Sequence, residues 1–139
     1  MESQIDSLIG NQGLDSDVAK VIYDMCKNRY RYIGNSKWEY TTNEGKTWFH
    51  DVRAEKLWSD IMIFSNNAFI QRAIYWENKN QELKDKLKIK TSDEIDAETR
   101  LTMNDNTQKS NILLSISRKF KQASYKKLLL QELKAYFVE

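Results

Sequence analysis

The chain has 139 residues, of which 40% are hydrophobic and 30% charged, and its formal net charge is +2. This length and composition are typical of one globular domain that buries a core without disulfides or metals, and they exclude a disordered chain. One cysteine and one histidine are too few for a disulfide framework or a zinc site, and the sequence shows neither a membrane-spanning apolar run nor a signal peptide, so we expect a soluble intracellular protein.

Residues 1–14 are polar and include Gly10 and Gly13, which favours a flexible N-terminal arm or a short helical turn. Asp15 and Ser16 then stand where a helix N-cap is expected. Apolar residues follow at helical spacing up to about Asn28, namely Val18, Val21, Ile22, Met25 and Cys26. We therefore predict a single domain over residues 15–139, mainly α-helical and α+β in class.

Residues 31–49 interrupt the helical pattern. Two short aromatic runs flank the connection Thr-Asn-Glu-Gly, with Trp38 and Trp48 at either end of it. The pattern predicts a β-hairpin, or three short strands, inserted into a small helical bundle. Basic residues stand among the rings, which is typical of a surface that stacks unpaired bases and binds their phosphates. Alternatively, the two tryptophans pack the hairpin against the next helix.

A long helix is predicted from about Val52, capped by Asp51, to Trp76. The run Ser65-Asn66-Asn67 is expected to break or bend it, because such side chains compete for backbone hydrogen bonds. Residues 77–90 are highly charged and indicate a solvated helix end or a linker.

The remaining chain predicts further helices. Thr91 or Ser92 is the candidate cap of the first, and Asn104-Asp105-Asn106 is expected to interrupt it. Two apolar stripes then predict helices over residues 111–121 and from Tyr125 onward, separated at Ala123-Ser124. The acidic run Asp93, Glu94, Asp96 and Glu98 is more typical of a first helical turn than of a cation site.

Charge is distributed unevenly along the chain. Residues 1–26 carry five acidic side chains and one lysine, whereas residues 107–136 carry seven basic side chains and one glutamate. The basic segment could face phosphates or an acidic partner, or it could be an ordinary solvated helix face.

The sequence lacks the residue patterns of common catalytic sites. Its four glycines are scattered and form no phosphate-binding loop, and no set of His and Cys residues suits a metal. Cys26 falls on an apolar helix face, and nothing places His50 near it, so a buried structural thiol is expected. We predict no catalytic residue, no cofactor and no metal site, and therefore a protein that is not an enzyme.

Several aromatic positions resemble a known module. They are Ala19-Lys-Val-Ile-Tyr-Asp-Met25, Arg29-Tyr-Arg-Tyr-Ile33, Trp38 and Trp48 split by a turn, the long helix that follows, and the tail from Ile116 to Leu133. Together they resemble the helical linker domain between primase and superfamily-three helicase in phage, plasmid and large-DNA-virus primase–helicases. The likeness spans residues 15–137. No Walker motif follows and no primase carboxylate set precedes, so the resemblance implies an excised piece or a free-standing accessory protein of a bacterial or virus-infected cytoplasm.

The leading hypothesis is an accessory protein of DNA replication that binds single-stranded DNA and works with a primase, polymerase or helicase of a mobile element or virus. One alternative is a protein-interaction module that docks through its C-terminal stripe and Trp58 or Trp76. Another is a winged-helix-like binder of duplex DNA. The candidate DNA contacts are Arg29, Arg31, Lys37, Trp38, Tyr40, Lys46 and Trp48 near the hairpin and Arg118, Lys119, Lys121, Lys126 and Lys127 in the basic segment.

Overall fold

Six α-helices and three short β-strands make up the part of the chain that the computed structural model describes, residues 2–10, 13–87 and 97–138. This confirms the predicted mainly α-helical fold with an inserted hairpin. The helices are α1 (Glu2–Gly10), α2 (Asp15–Cys26), α3 (Glu55–Asp60), α4 (Asn66–Leu87), α5 (Ala97–Lys119) and α6 (Ala123–Phe137), and the strands are β1 (Tyr30–Tyr32), β2 (Trp38–Tyr40) and β3 (Phe49–Asp51).

Helix α1 replaces the flexible arm that the sequence predicted for residues 1–14. Ile5 and Leu8 are buried in the main core, and Gly13 ends the turn after α1 by donating its backbone N–H to the carbonyl oxygen of Leu8 at 2.8 Å. The φ angle of Gly13 is +71°, which a glycine adopts without strain. The two buried side chains were not predicted because the segment is mostly polar. Helix α1 belongs to the same hydrophobic core as the rest of the bundle.

The three strands form one antiparallel sheet in the order β1–β2–β3. Successive side chains alternate between its two faces, so Tyr30, Tyr32, Trp38 and Tyr40 share the face toward the helices while Arg31 and Glu39 share the other face. Val138, just after α6, adds an isolated parallel bridge beside Tyr32 on the open edge of β1. The sheet is therefore held against the end of α6.

The predicted bend near Ser65 is present as a single π-helical turn, Ile61–Ser65, between α3 and α4. Asn66 follows it and accepts a hydrogen bond from the hydroxyl of Ser117 on α5 at 2.6 Å. The carboxylate of Asp51 caps α3, accepting the backbone N–H groups of Lys56 at 2.8 Å and Leu57 at 3.0 Å. Asp51 was predicted as a cap, but the helix begins later because a left-handed turn intervenes.

Helices α4 and α5 form a long pair. Of the two alternatives for the charged residues after Trp76, the solvated helix end is the one observed, since α4 continues as far as Leu87. The interruption predicted at Asn104–Asn106 is wrong, because α5 runs unbroken through these residues. Asn106 turns its side chain inward to Asn80 instead of interrupting the helix. The proposed caps Thr91 and Ser92 lie outside the described residues, as do Asp93, Glu94 and Asp96 of the acidic run.

The core lies where α2, α3, α4, α5, α6 and the inner face of the sheet converge. Phe120 is at its centre, stacked on Phe69 with ring centroids 5.8 Å apart and on Tyr125 at the same distance. Trp58 contacts Phe120 edge-on, and Phe137 contacts Tyr30 and Trp38 in the same way. This packing fixes which hairpin side chains face inward and which remain at the surface.

Candidate nucleic-acid interface

Trp38 is a core residue, and the prediction that it is exposed for base stacking is wrong. Its side chain is only 3% exposed, and its ring packs edge-on against Phe137 with centroids 5.7 Å apart and against Tyr32 at 5.2 Å. The alternation of β2 places it on the inner face, where α6 covers it. Trp38 therefore has the role given above as the alternative, packing the hairpin against a helix, and that helix is α6.

Tyr40 lies on the same inner face and is half-buried. Its ring packs on Phe49 of β3 with centroids 5.6 Å apart, and the ammonium group of Lys56 lies 5.9 Å from its centre. Phe49 is the more exposed member of this pair, at 45%. Tyr40 therefore supports β3 more than it presents a ring to solvent.

On the outer face of the sheet, Arg31 is already paired. Its Nε donates to Glu39 Oε1 at 2.7 Å, and its guanidinium lies over the ring of Trp48 at 4.2 Å from the centroid. A carboxylate this close neutralises the cation that was predicted to meet a phosphate. Trp48 itself is half-buried and keeps part of its ring at the surface.

A small basic groove runs between α6 and the turns that flank the sheet. Its volume is about 240 Å³, and three cations line it, Arg53, Lys127 and Lys134. No carboxylate is among the described residues that line the groove. Within that part of the chain none of the three cations has an acidic side chain at ion-pair distance. We call this feature the basic groove.

Two backbone turns with left-handed angles shape the basic groove. Asn35 and Ser36 have φ angles of 52° and 60° in the turn between β1 and β2, and Ser36 lines the groove. Arg53 and Ala54 both have φ angles of 57° in the turn after β3. Because the chain reverses twice here, Arg53 comes to face α6. The exposed Lys37 follows Ser36 directly.

The sequence missed two of the three groove cations. Lys134 stands seven residues after Lys127, which is two helical turns, so helical periodicity would have placed both on one face of α6. Arg53 offered no such signal, since it reaches the groove through a left-handed turn that non-glycine residues adopt rarely.

The other cations of the C-terminal basic segment do not join the groove. Lys126 lies 5.6 Å from the centre of the Trp58 ring, and Lys119 lies 5.7 Å from that of Tyr125. Lys119 also lines a separate hollow on α5 with Ile112 and Ile116. Arg118 and Lys121 are exposed at the end of α5. The segment that looked continuous in sequence is thus divided between different surfaces.

A larger cleft of about 740 Å³ opens between the end of α2, the loop joining β2 to β3, and the end of α6. Among the residues that line it are Tyr23, Arg29, Glu44, Trp48 and Tyr136. Arg29 and Trp48 were predicted contacts, whereas the two tyrosines were not. Lys46 is exposed on the same loop but is not part of the lining. We call this feature the aromatic cleft.

Cys26 has the environment of a structural thiol. It is fully buried, and burial raises its pKa, with Asp60 adding to the effect. Asp60 also accepts a hydrogen bond from the hydroxyl of Tyr30, whose pKa is raised by burial and by this carboxylate. His50, by contrast, is exposed. A thiol held protonated inside the core is a poor nucleophile.

The described residues include no group of three or more His, Cys, Asp or Glu side chains that could hold a metal ion. No helix in the described ranges is both long enough and apolar enough to cross a bilayer. No protein-family model, curated protein or solved structure matches the chain. Function is therefore inferred from the side chains and surfaces described above.

Proposed function

We propose that the protein binds single-stranded DNA and serves as an accessory factor of DNA replication, together with a primase, polymerase or helicase. The observation that carries the proposal is the basic groove, where Arg53, Lys127 and Lys134 converge without a carboxylate among the described lining residues. Like charges on one surface repel one another, and an anion bound between them relieves that repulsion. The phosphate backbone of a nucleic acid is a chain of negative charges that can bind such a group of cations.

The arrangement of the cations suits a chain of phosphates better than a single one. Lys127 and Lys134 are two turns apart on α6, or about 10 Å along the helix axis. Arg53 lines the groove from the turn after β3, and the exposed Lys37, which does not line it, is the sequence neighbour of the lining residue Ser36. A flexible single strand can follow such a short groove, and Arg53 offers the planar donor set that binds phosphate oxygens in pairs.

The weak net charge of the whole chain makes binding local. A formal charge of +2 produces no strong long-range attraction for DNA, so affinity depends on the few cations that touch phosphates. Counterion release makes such affinity fall steeply with salt, by about 0.7 logarithmic units per neutralised phosphate for each tenfold increase in salt. The resemblance to a primase–helicase linker supports placing this activity in replication.

The test is a titration of a fluorescent oligothymidine by anisotropy at two or more salt concentrations. Removing two groove charges in Arg53→Gln/Lys127→Gln should weaken binding at least tenfold at low salt and reduce the salt slope by about 1.4. The matched control is Lys84→Gln/Lys86→Gln, which removes the same charge from exposed positions at the far end of α4. Equal affinities of the two double variants would move the site away from the groove.

The same titration with a duplex of equal length addresses the winged-helix alternative. A wing that supports a major-groove helix would give tighter binding to duplex than to single strands. The proposal predicts the reverse preference, because the groove is small, at about 240 Å³, and the half-buried rings of the aromatic cleft need unstacked bases.

A second candidate function, docking on another replication protein, is favoured by one surface. Ile63 and Phe64 in the π-helical turn are 57% and 55% exposed, which is unusual for two adjacent large apolar side chains. Trp58 and Trp76, predicted for this role, are instead half-buried, and Trp76 donates to Asp6. Phe64 is left in place in the test, because the guanidinium of Arg29 lies 5.9 Å from the centre of its ring. Ile63→Ser should weaken a salt-insensitive complex with the cognate primase, polymerase or helicase and leave oligonucleotide binding unchanged.

A further inference from the structure

We propose that the aromatic cleft is a nucleobase-binding subsite that receives one unstacked base of the bound strand. The inference rests on the proposed function and deepens it, because it assigns the bases to a second surface separate from the basic groove. The cleft volume of about 740 Å³ lies within the range of about 300–1,000 Å³ that is usual for small-molecule sites. A single base with its sugar fits such a space.

The rings that line the cleft are held in place before any ligand arrives. Tyr23 and Tyr136 stack on each other with centroids 5.4 Å apart and an interplanar angle of 25°. Lys20 lies 5.5 Å and 5.9 Å from the centres of these two rings. Rings that are already ordered lose little conformational entropy when a base packs against them.

Trp48 is held from the opposite element. The guanidinium of Arg31 covers its ring, and Glu39 fixes Arg31 in turn. A Cβ atom at Gly45 would lie only 3.8 Å from the Trp48 ring, so the loop backbone packs closely beside it. Trp48 is half-buried and lines the cleft, so part of its ring is accessible there. Base–aromatic stacking is tolerant of sequence because every base has a π face.

The loop that carries Trp48 is ordered by its own side chains. Thr41 Oγ1 accepts the backbone N–H of Gly45 at 3.0 Å, and Asn43 Oδ1 accepts that of Thr47 at 2.8 Å. These bonds use the polar groups of the turn internally. The side chains of Thr42 and Glu44 are exposed at the cleft, where a hydroxyl and a carboxylate can meet the polar edge of a base.

Arg29 supplies the cation of the subsite. Its Nη2 donates to the carbonyl oxygen of Met25 at 3.2 Å, its side chain also hydrogen-bonds Cys26, and its guanidinium lies 5.9 Å from the centre of the Phe64 ring. These contacts orient the guanidinium and use only part of its five N–H donors. Within the described chain it forms no ion pair. A phosphate attached to the bound nucleotide is the partner that these remaining donors fit. Rings, polar edge groups and one cation together match a nucleotide.

The experiment separates bases from phosphates with a matched pair of fluorescent oligonucleotides. One carries normal bases, and the other has the same backbone and charge with abasic tetrahydrofuran units. We expect the wild-type protein to bind the normal strand roughly 5- to 150-fold more tightly, the range for one stacked base. Trp48→Leu/Tyr136→Leu should bring this ratio close to one, whereas Arg53→Gln/Lys127→Gln should weaken both strands and preserve the ratio.

Tyr75→Leu is the control for loss of a ring, because Tyr75 is a half-exposed ring on α4 that does not line the cleft. It should leave the ratio of normal to abasic affinity unchanged. A ratio of one for the wild-type protein would overturn the inference and leave the proposed function standing. A ratio of normal to abasic affinity that stays at the wild-type value in Trp48→Leu/Tyr136→Leu would also overturn the inference and leave the proposed function standing.

A second measurement uses the wild-type protein and tests the aromatic cleft independently of binding in the basic groove. In a titration of the ¹⁵N-labelled protein with a deoxynucleoside 5′-monophosphate, the amide signals of Thr42, Trp48 and Tyr136 should shift more than those around Lys127. Shifts confined to the cleft in a protein that binds no oligonucleotide would support the base subsite and overturn the proposed function. An absence of cleft shifts at saturating nucleotide would overturn the subsite.

Discussion

Asp6 is the charged residue that joins α1 to α4. Its carboxylate accepts hydrogen bonds from Arg72 Nη2 at 2.6 Å, Arg72 Nε at 2.9 Å and Trp76 Nε1 at 3.2 Å. Burial opposes ionisation of Asp6, but the hydrogen bonds from Arg72 and Trp76 and the charge of Arg72 outweigh it and lower the pKa. The ionised form is therefore favoured in the folded protein relative to the unfolded chain.

The sign of the resulting pH dependence follows from this lowered pKa. Asp6 contributes its stabilisation in full above its unfolded pKa of about 3.9, and the contribution is lost as pH falls through the folded value. Asp6→Asn should lower the free energy of unfolding by about 1–2 kcal/mol at pH 7, and the difference from wild type should shrink below about pH 4. Urea unfolding followed by circular dichroism at pH 7, 5 and 3 measures it.

The control for Asp6 is Glu2→Gln. Glu2 lies 3.7 Å from the same arginine, but its side chain is 81% exposed, so solvent screens the pair. This variant should change stability little at any of the three pH values. A difference between Asp6→Asn and wild type that stays constant down to pH 3 would contradict the role assigned to the Asp6 charge.

Single residues also show where the sequence was informative. The period-2 pattern of β2 predicts that Trp38 and Tyr40 share a face. Which face points inward depends on how the sheet packs on α6, and the local sequence does not encode that packing. The basic character of Lys37 and Lys127 was readable because exposed lysines are the rule. Arg53 was not, since its position depends on a rare backbone angle.

At the scale of elements, a polar seam holds α4 against α5. Asn80 Nδ2 donates to the carbonyl oxygen of Met103 at 3.0 Å and to the hydroxyl of Thr107 at 2.8 Å. Asn106 Nδ2 donates to Asn80 Oδ1 at 3.1 Å, and Ser110 donates to Glu77 at 3.0 Å. Polar groups that satisfy one another fix the register of two helices more sharply than apolar contacts do.

The seam explains why Asn104–Asn106 does not interrupt α5. Asn favours turns when its side chain competes for local backbone groups, but the side chain of Asn106 is engaged by Asn80 on another helix. Such a partner 26 residues away is invisible to a reading of local sequence. The apolar periodicity of α2 predicted this helix because the signal is local, but the predicted cap is wrong: Leu14 occupies the N-cap position without a side-chain hydrogen bond, and Asp15 is the first helical residue.

Two neighbouring asparagines provide a matched test of the seam. Asn106 is 6% exposed and engaged, whereas Asn104 is exposed on the opposite side of α5. Asn106→Ala should cost about 1–3 kcal/mol, because it leaves the Asn80 amide oxygen without its partner. Asn104→Ala should change stability by less than about 0.5 kcal/mol or raise it slightly through helix propensity. Equal effects in thermal or urea unfolding would contradict an organising role for the seam.

At the scale of the whole molecule, the acidic and basic segments are used in different ways. Part of the acidic N-terminal segment is engaged in ion pairs, since Asp6 pairs with Arg72 and Asp24 with Lys20. Of the seven basic residues in 107–136, only Lys127 and Lys134 line the basic groove, where Arg53 joins them. The groove therefore depends on the fold as well as on the charge asymmetry of the sequence.

The largest difference between sequence and structure concerns how much of the chain folds as one unit. A flexible arm would contribute nothing to stability, whereas α1 buries Ile5 and Leu8 and fixes the turn at Gly13 against Ile116 of α5. Apart from Ile5, Leu8 and Ile9, the six other residues of α1 are polar or small, so this short helix gives only a weak periodic signal. Packing against three other helices makes up for this weakness.

Leu8→Ala decides whether α1 belongs to the cooperative unit. Leu8 is fully buried, so truncation should lower the free energy of unfolding by about 2–5 kcal/mol, the usual cost of a cavity of this size. The matched control, Leu14→Ala, removes the same atoms from a side chain that is 60% exposed and should cost less than about 0.5 kcal/mol. Urea transitions followed by circular dichroism and by tryptophan fluorescence should coincide in both variants, because helices and core rings unfold together in a two-state protein. If α1 unfolded independently, Leu8→Ala would produce an early, partial fluorescence change from Trp76, whose indole donates to Asp6 of α1. The main transition would stay at the wild-type midpoint, since Trp38 contacts Phe137 of α6 and Trp58 contacts Phe120 and Lys126.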